Sequence, residues 1–371
     1  MQLSTYMGDI ENNFKFLISV KINSYHQPLN FNSGKVELVH GSGGKAMHQL
    51  IEELFSNSFN NSKLSKNDDG AVIDTKPPFL NSKIVISTDS HVVSPIFFPG
   101  GDIGSLSVYG TVNDVAVMGA KPLYICVGLI IEEGFPLSEL KTIIESMAKS
   151  AKIAGVEIVC GDTKVVERDS CDQIFISTTG FGFVENPKIN LSGANAKVGD
   201  KVILSGTIGD HGMAVLSKRE GLKFSSRILS DSQSLVGLID KMLVACPQIR
   251  LLRDPTRGGL ACTLNEITKQ SNIGIVINEN SIPINQEVEA TCEFLGLDPL
   301  YVANEGKVVC ICPENEADKI LKSMRTHPFG RKSEIIGEVI EDKYGFVQMI
   351  TKLGGKRNVD WLSGEQLPRI C

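Results

Sequence analysis

Apolar positions along the chain fall into two α+β halves separated by a polar stretch. Order is expected to begin at Val36-Glu37-Leu38-Val39, after which Met47, Leu50, Ile51 and Leu54 recur at helical spacing. Residues 71–73 and 83–88 read as short strands, the second ending on Asp89. Asp102 offers an N-cap for a helix of small residues over 103–118, closed by Gly119. Residues 123–131 read as a strand, and Ser138 caps a helix whose Leu140, Ile143, Ile144, Met147, Ala151 and Ala154 share one face. Strands over 156–160, ending in Gly161-Asp162-Thr163-Lys164, and over 173–184 close the first half.

Residues 186–196 are polar and bear Gly and Pro, the texture of a domain boundary. Beyond them, strands are predicted over 201–205, 273–278, 308–312, 334–340 and 346–350. Helices are predicted after Gly212, near 234–244 and after Gly259. The expected organisation is an extension over 1–35 without a core of its own, a first domain over 36–190, a second over 191–353 and a mobile tail over 354–371. No sequence repeat relates the two halves.

Composition supports two soluble domains: 371 residues, 42% hydrophobic and 22% charged. With a net charge of −6 and only short Lys/Arg clusters, the chain lacks the basic face that nucleic acid requires. The longest apolar stretch, 103–120, is broken by Asn113-Asp114, so no membrane span is expected. The N-terminus has no signal pattern, and nine cysteines form no disulfide framework. Cys310 and Cys312 are expected to project to opposite faces of a strand, which leaves no close thiol pair there for a metal. A reducing cytosol follows as the expected compartment.

Chemistry is concentrated in three places. Asp68, Asp69, Asp89, Asp114 and Asp162 stand where strands and helices are expected to end, and Asp114 interrupts an apolar helix, where a carboxylate needs a partner or a metal. Oxygen ligands without a nearby Cys/His set suit Mg²⁺ on the phosphates of a nucleotide. Gly41-Ser42-Gly43-Gly44-Lys45 is either a flexible turn or a phosphate cradle of backbone N–H groups, with Lys45 adding charge. The chain ends on Pro368-Arg369-Ile370-Cys371, preceded by Gly354-Gly355-Lys356-Arg357-Asn358; a thiol tethered on one side only can enter a cleft and withdraw.

Gly110-Thr111-Val112-Asn113-Asp114-Val115-Ala116-Val117-Met118-Gly119-Ala120-Lys121-Pro122 resembles the helix motif of the ATP-binding superfamily of aminoimidazole ribonucleotide synthetase, thiamine-monophosphate kinase and selenide-water dikinase. Asp68-Asp69-Gly70-Ala71, Ser87-Thr88-Asp89 and Gly161-Asp162-Thr163 match its other motifs in order. Within it, the chain most resembles the HypE hydrogenase-maturation proteins. The residues that carry this are His40 to Lys45, Gly161 to Val165, Ile208-Gly-Asp-His-Gly-Met-Ala214, Arg253-Asp-Pro-Thr-Arg-Gly-Gly-Leu260, Asn304-Glu-Gly-Lys307 and the terminal Pro-Arg-Ile-Cys. Residues 1–35 depart from the pattern, which in the family starts just before the glycine loop.

The resemblance implies a two-domain α+β, aminoimidazole ribonucleotide synthetase-like (PurM-like) fold, each domain a mixed sheet with helices on one face, and a homodimer pairing the first-domain sheets. It implies a carbamoyl dehydratase in which a HypF partner loads Cys371 and ATP with Mg²⁺ drives conversion of the S-carboxamide to an S-cyanate. A HypC–HypD scaffold receives the cyanide. Gly43, Gly44, Lys45, Asp69, Asn113, Asp114, Asp162 and Thr163 are the implied nucleotide contacts, and Asp68, Asp69, Asp89, Asp114 and Asp162 the implied metal ligands. Lys164 and Glu305 are the candidate bases, with Lys164 alternatively a structural ion-pair partner or a charge that neutralises phosphate oxygens. His211 either titrates in the reaction or orders its loop, and Asp254 either N-caps a helix or shapes the channel of the tail or the domain interface. The rival readings are a selenophosphate synthetase or thiamine-phosphate kinase, and a carrier that presents Cys371 without catalysis. Selenophosphate synthesis usually employs a Cys or selenocysteine in the glycine loop, and no cysteine precedes Cys126.

Overall fold

The computed structural model describes residues 28–41, 45–61, 83–221, 228–362, 367 and 369–371. The strand expected over 71–73 lies outside them. The first domain is a four-stranded sheet in the order β1 (Lys83–His91), β6 (Ile174–Val184), β4 (Lys121–Glu132), β5 (Glu157–Val166). Only the β4–β5 pair is parallel. The short strands β2 (Phe97–Phe98) and β3 (Gly101–Asp102) form a hairpin beside it.

Helix α1 (Ile103–Val117) is the element both domains share. Asp102 caps it as expected, accepting from the Gly104 and Ser105 backbone N–H groups, while Ser105 returns the bond. Such a cap stabilises by about 1 kcal/mol. Every residue of α1 except Asp114 is buried, so the helix has no solvent face and needs partners all round. On one side it lies against β6, where a Cβ on Gly180 would meet Thr111 Cγ2 at 2.7 Å and one on Gly182 would meet Val115 Cγ1 at 2.6 Å. On another it packs against α2 (Leu137–Ala154) in the core of Leu106, Ile143, Ile144 and Met147. Helix α2 begins at Leu137, one residue before the expected cap, with Pro136 as its N-cap, because proline's fixed φ suits the entry and Ser138 lies inside the first turn.

The second domain is a seven-stranded sheet ordered β13 (Lys356–Asn358), β12 (Val347–Ile350), β9 (Gly274–Asn278), β11 (Glu334–Ile340), β7 (Lys201–Leu204), β10 (Val309–Cys312), β8 (Leu251–Arg253). Helices cover both of its faces, not one. Val202 and Leu204 join α5 (Gly259–Ser271) in one core, whereas Ile203 joins α4 (Val236–Ala245) and α7 (Glu314–Arg325) in another. That second core also takes Val115, Ala116 and Val117 from α1, which ties the domains together. Cys310 and Cys312 both face it, because residues two apart in a strand share a face; the expected opposition was wrong.

Two boundaries differ from expectation. Leu29 and Phe31 pack on the first-domain core, and Leu29 N donates to Glu53 at 2.8 Å, so residues 28–35 belong to the body. Residues 356–359 are sheet and core, with Val359 buried, so the tail proper starts later than 354.

Candidate functional site

The end of the chain is seated between the domains. Ile370 is 3% exposed and packs into the first-domain core with Leu367 and Cys371. The Cys371 thiol lies against the carboxyl of Glu305; burial raises its pKa, and the charge of Glu305 adds to that.

Glu305 is fixed by its neighbours in sequence. Asn304 donates to the carbonyls of Pro255 at 2.8 Å and Val302 at 3.1 Å and accepts from Gly209 N at 2.8 Å. Buried Asp231 accepts from the backbone N–H groups of Glu305 and Gly306, at 3.2 and 3.3 Å, and from Lys307 Nζ at 2.8 Å. Burial opposes the charge of Asp231, but Lys307 and the other donors outweigh it and hold the carboxyl below its usual range. A Cβ on Gly306 would come within 1.8 Å of the Asp231 carbonyl. The Asn-Glu-Gly-Lys stretch is thus a rigid mount that aims Glu305 at the thiol.

Glu305 is 4% exposed and its Oε1 has no hydrogen-bond partner among the described residues. Burial first, then the charges of Asp231, Asp254, Asp89 and Asp114, hold its pKa well above the carboxylate range. Asp114 is raised chiefly by burial, against its hydrogen bond from Ser87 Oγ at 2.7 Å, with Asp89 adding to the rise. Asp254 is pushed up to about 7 by burial and the charges of Asp114 and Asp89. It does not cap the following helix, whose N-cap is Gly258. Asp89, near the end of β1, lies 3.7 Å from His91 Nε2 through its Oδ2.

Several expected site residues are elsewhere. Asp162 does not end a strand; it sits inside edge strand β5, paired with Gly128. The register row from Asp89 runs through Thr178 and Val127 to Gly161, so three strand spacings, about 14 Å, separate Asp89 from β5. Asp162, one residue on, projects to the other face of the sheet. Its carboxylate pairs with Lys164 Nζ at 2.8 Å, both side chains 63% exposed, and the Lys164 hydrogen bond lowers its pKa. Thr163 is buried. Asn113 donates to Gln233 O at 3.0 Å and Glu305 O at 3.2 Å and accepts from Leu235 N at 2.8 Å, so both of its amide protons are committed to a tie between the domains. His211 donates to the Ile370 carbonyl through Nε2. Gly43, Gly44, Asp68 and Asp69 lie outside the described residues, and Lys45 opens the short helix Lys45–Leu50. Among the described residues no group of three or more His, Cys, Asp or Glu is placed to hold a metal ion. Asp231, Ser230 and Arg219 were not anticipated; no local pattern marks them, because their partners lie far away in sequence.

A cleft of about 120 Å³ lies beside β5, lined by Ile51, Phe55, Phe59, Leu129, Asp162 and Thr163. Among the described residues no helix is long and apolar enough to cross a membrane.

Residues 67–184 match the N-terminal domain model of the AIR synthase related proteins, and residues 197–350 match the C-terminal one. The carbamoyl dehydratase HypE of Azotobacter vinelandii is 57% identical over 343 residues, 92% of this chain and 99% of the relative. The crystal structure of a hydrogenase maturation protein HypE in complex with ATP superposes with a TM-score of 0.86 at 47% identity, covering 90% of this chain and 99% of that one. That of a HypE–HypF complex superposes with a TM-score of 0.74 at 50% identity, covering 84% and 99%. With its two AIR synthase related domains and a thiol at the chain end aimed at a buried glutamate, the chain belongs to the HypE family of carbamoyl dehydratases, enzymes of hydrogenase maturation.

Proposed function

We propose that this protein uses ATP to dehydrate a carbamoyl group carried on its own Cys371, turning the S-carboxamide into an S-cyanate that becomes a cyanide ligand of [NiFe] hydrogenase. The observation that carries the reading is the Cys371 thiol seated against Glu305 in a water-poor junction of the domains.

The amide oxygen is a poor leaving group until it is phosphorylated. Its oxygen attacks the γ-phosphorus of ATP, ADP departs and one N–H proton is lost. The C–O bond then breaks, phosphate leaves with the electron pair, and loss of the second N–H proton completes the C≡N bond. Glu305 is the base the geometry favours: burial and neighbouring carboxylates raise its proton affinity, and Oε1 is free to accept. Lys164, exposed and paired on the far edge strand, does not meet the thiol within one chain.

Asp89 and Asp114, with Asp68 and Asp69, would hold Mg²⁺, which supplies charge to offset the phosphates when bound. The crowding that raises Asp114, Asp254 and Glu305 fits a cation there, since opposite charge relieves it. The apolar cleft next to Asp162 and Thr163 suits the nucleotide base. The outer face of the four-stranded sheet exposes Ile84, Ile86 and Ile130, which supports a homodimer joined there. A HypF-type carbamoyltransferase is the loading partner, and a HypC–HypD complex the acceptor. All nine cysteines are free, in keeping with the cytoplasm.

Peptide mapping after loading tests the assignment. The carbamoyl group should sit on Cys371 alone, and Cys371→Ser should bind ATP yet yield no cyano product. A carbamoyl group on any other cysteine would refute it.

A further inference from the structure

The last three residues are held by their main chain, their carbonyls taken up by donors from the segment after β1 and from one helix. Val92 N donates to a terminal oxygen of Cys371 at 3.3 Å, and Ser94 N donates to Arg369 O at 3.1 Å, the spacing of a short antiparallel ladder after β1. Arg219, at the end of helix α3 (Asp210–Arg219), bridges the two strands of that ladder. Its Nε donates to Ser94 O at 2.8 Å and its Nη2 to Arg369 O at 2.8 Å. His211, in the first turn of the same helix, reaches the remaining carbonyl: Nε2 lies 2.7 Å from Ile370 O. The side chain of Arg369 pairs with Asp172.

The His211 ring has only one protonation pattern that fits. It is wholly buried, against the edge of Phe98, and burial lowers its pKa despite the nearby charge of Asp231, so it is neutral. A carbonyl can only accept, so the single ring proton is on Nε2, and Nδ1 accepts from Ser230 Oγ at 2.8 Å. No lone pair of the ring is left for a substrate proton.

We propose that His211 and Arg219 are positioning residues which clamp the tail by its backbone, so that the site recognises the chain end and not the group on its sulfur. Free, carbamoylated and cyanated tails therefore dock alike, and release to a partner requires opening the whole clamp. This rests on Cys371 being the carbamoyl carrier, although docking can be read without any turnover.

The test uses the full chain and two readouts. In the first, iodoacetamide alkylation of Cys371 is followed by peptide mapping. The wild-type thiol should react slowly, and Arg219→Ala and His211→Phe should each speed it by about tenfold or more. His211→Gln, whose amide nitrogen replaces the Nε2 donor, should restore protection. In the second, the pre-carbamoylated proteins are followed through one turnover: Arg219→Ala and His211→Phe should lose water more slowly, and His211→Gln should recover. Unchanged alkylation in both Arg219→Ala and His211→Phe would overturn the clamp. So would a His211→Gln protein that stays protected but cannot lose water, because that is the behaviour of a missing base. If the alkylation pattern holds while even the wild type loses no water, the clamp stands and the dehydratase reading of Cys371 fails.

Discussion

The Glu305–Cys371 pocket and the Asp162–Lys164 pair use similar residue types to opposite ends. Glu305 is 4% exposed, has no cation partner among the described residues and has a pKa held well above that of a free carboxyl. Asp162 is 63% exposed on its side chain, ion-paired, and has a pKa below the usual value. Both belong to sequence stretches that look equally functional, Asn304-Glu-Gly-Lys307 and Gly161-Asp-Thr-Lys164. What separates them is the environment: desolvation and carboxylate crowding raise the proton affinity of one, while water and lysine make a stable anion of the other.

Replacing the proposed base should have the largest effect. Glu305→Gln should slow water loss from the carbamoylated chain by about 10²–10⁴-fold, with loading spared, in single-turnover mass spectrometry. Next, Asp89→Asn should abolish ATP turnover while shifting stability by less than about 0.5 kcal/mol, since its side chain is over a third exposed; normal turnover in the folded variant would remove it from the metal site.

Asp254 sharpens the contrast through pH. Its folded pKa, about 7, lies above the unfolded value of 3.8, so the folded state holds its proton more tightly. That stabilisation is fully present below 3.8 and is lost as pH rises through about 7. Thermal unfolding of the nucleotide-free protein should therefore show a contribution that declines from pH 4 to 7, and Asp254→Asn should flatten it. An unchanged slope in that variant would place the titration elsewhere.

The smallest effect is expected on the exposed side. Lys164→Ala should change stability by no more than about 0.5 kcal/mol, as exposed ion pairs usually do, and slow water loss far less than Glu305→Gln. An equal loss of water-elimination activity would mean that strand β5 of another subunit completes the site.

The sequence carried the local half of this picture. The Asp102 cap, the core face of α2 and strand β11 followed from spacing, and the terminal cysteine and Glu305 followed from motifs. What stayed hidden depends on distance along the chain. Asp231 matters because Lys307 lies 76 positions away, and Arg219 because the Arg369 carbonyl lies 150 away. Asp162 misled for a related reason: a Gly-Asp turn pattern after an apolar strand reads as a strand end, yet pairing with β4 carries β5 on to Val166. The tie that Asn113 makes between the domains was hidden for the same reason, since its partners Gln233 and Leu235 lie in the other half of the chain.

The central claim is that Cys371 is substrate and that the chain itself removes the water. Intact-mass spectrometry after incubation with a carbamoyl donor and the loading partner tests it most directly. The account predicts a gain of one carbamoyl group on Cys371, followed by loss of one water only when ATP and Mg²⁺ are added. Loss of water without nucleotide, or no loss with it, would contradict the account.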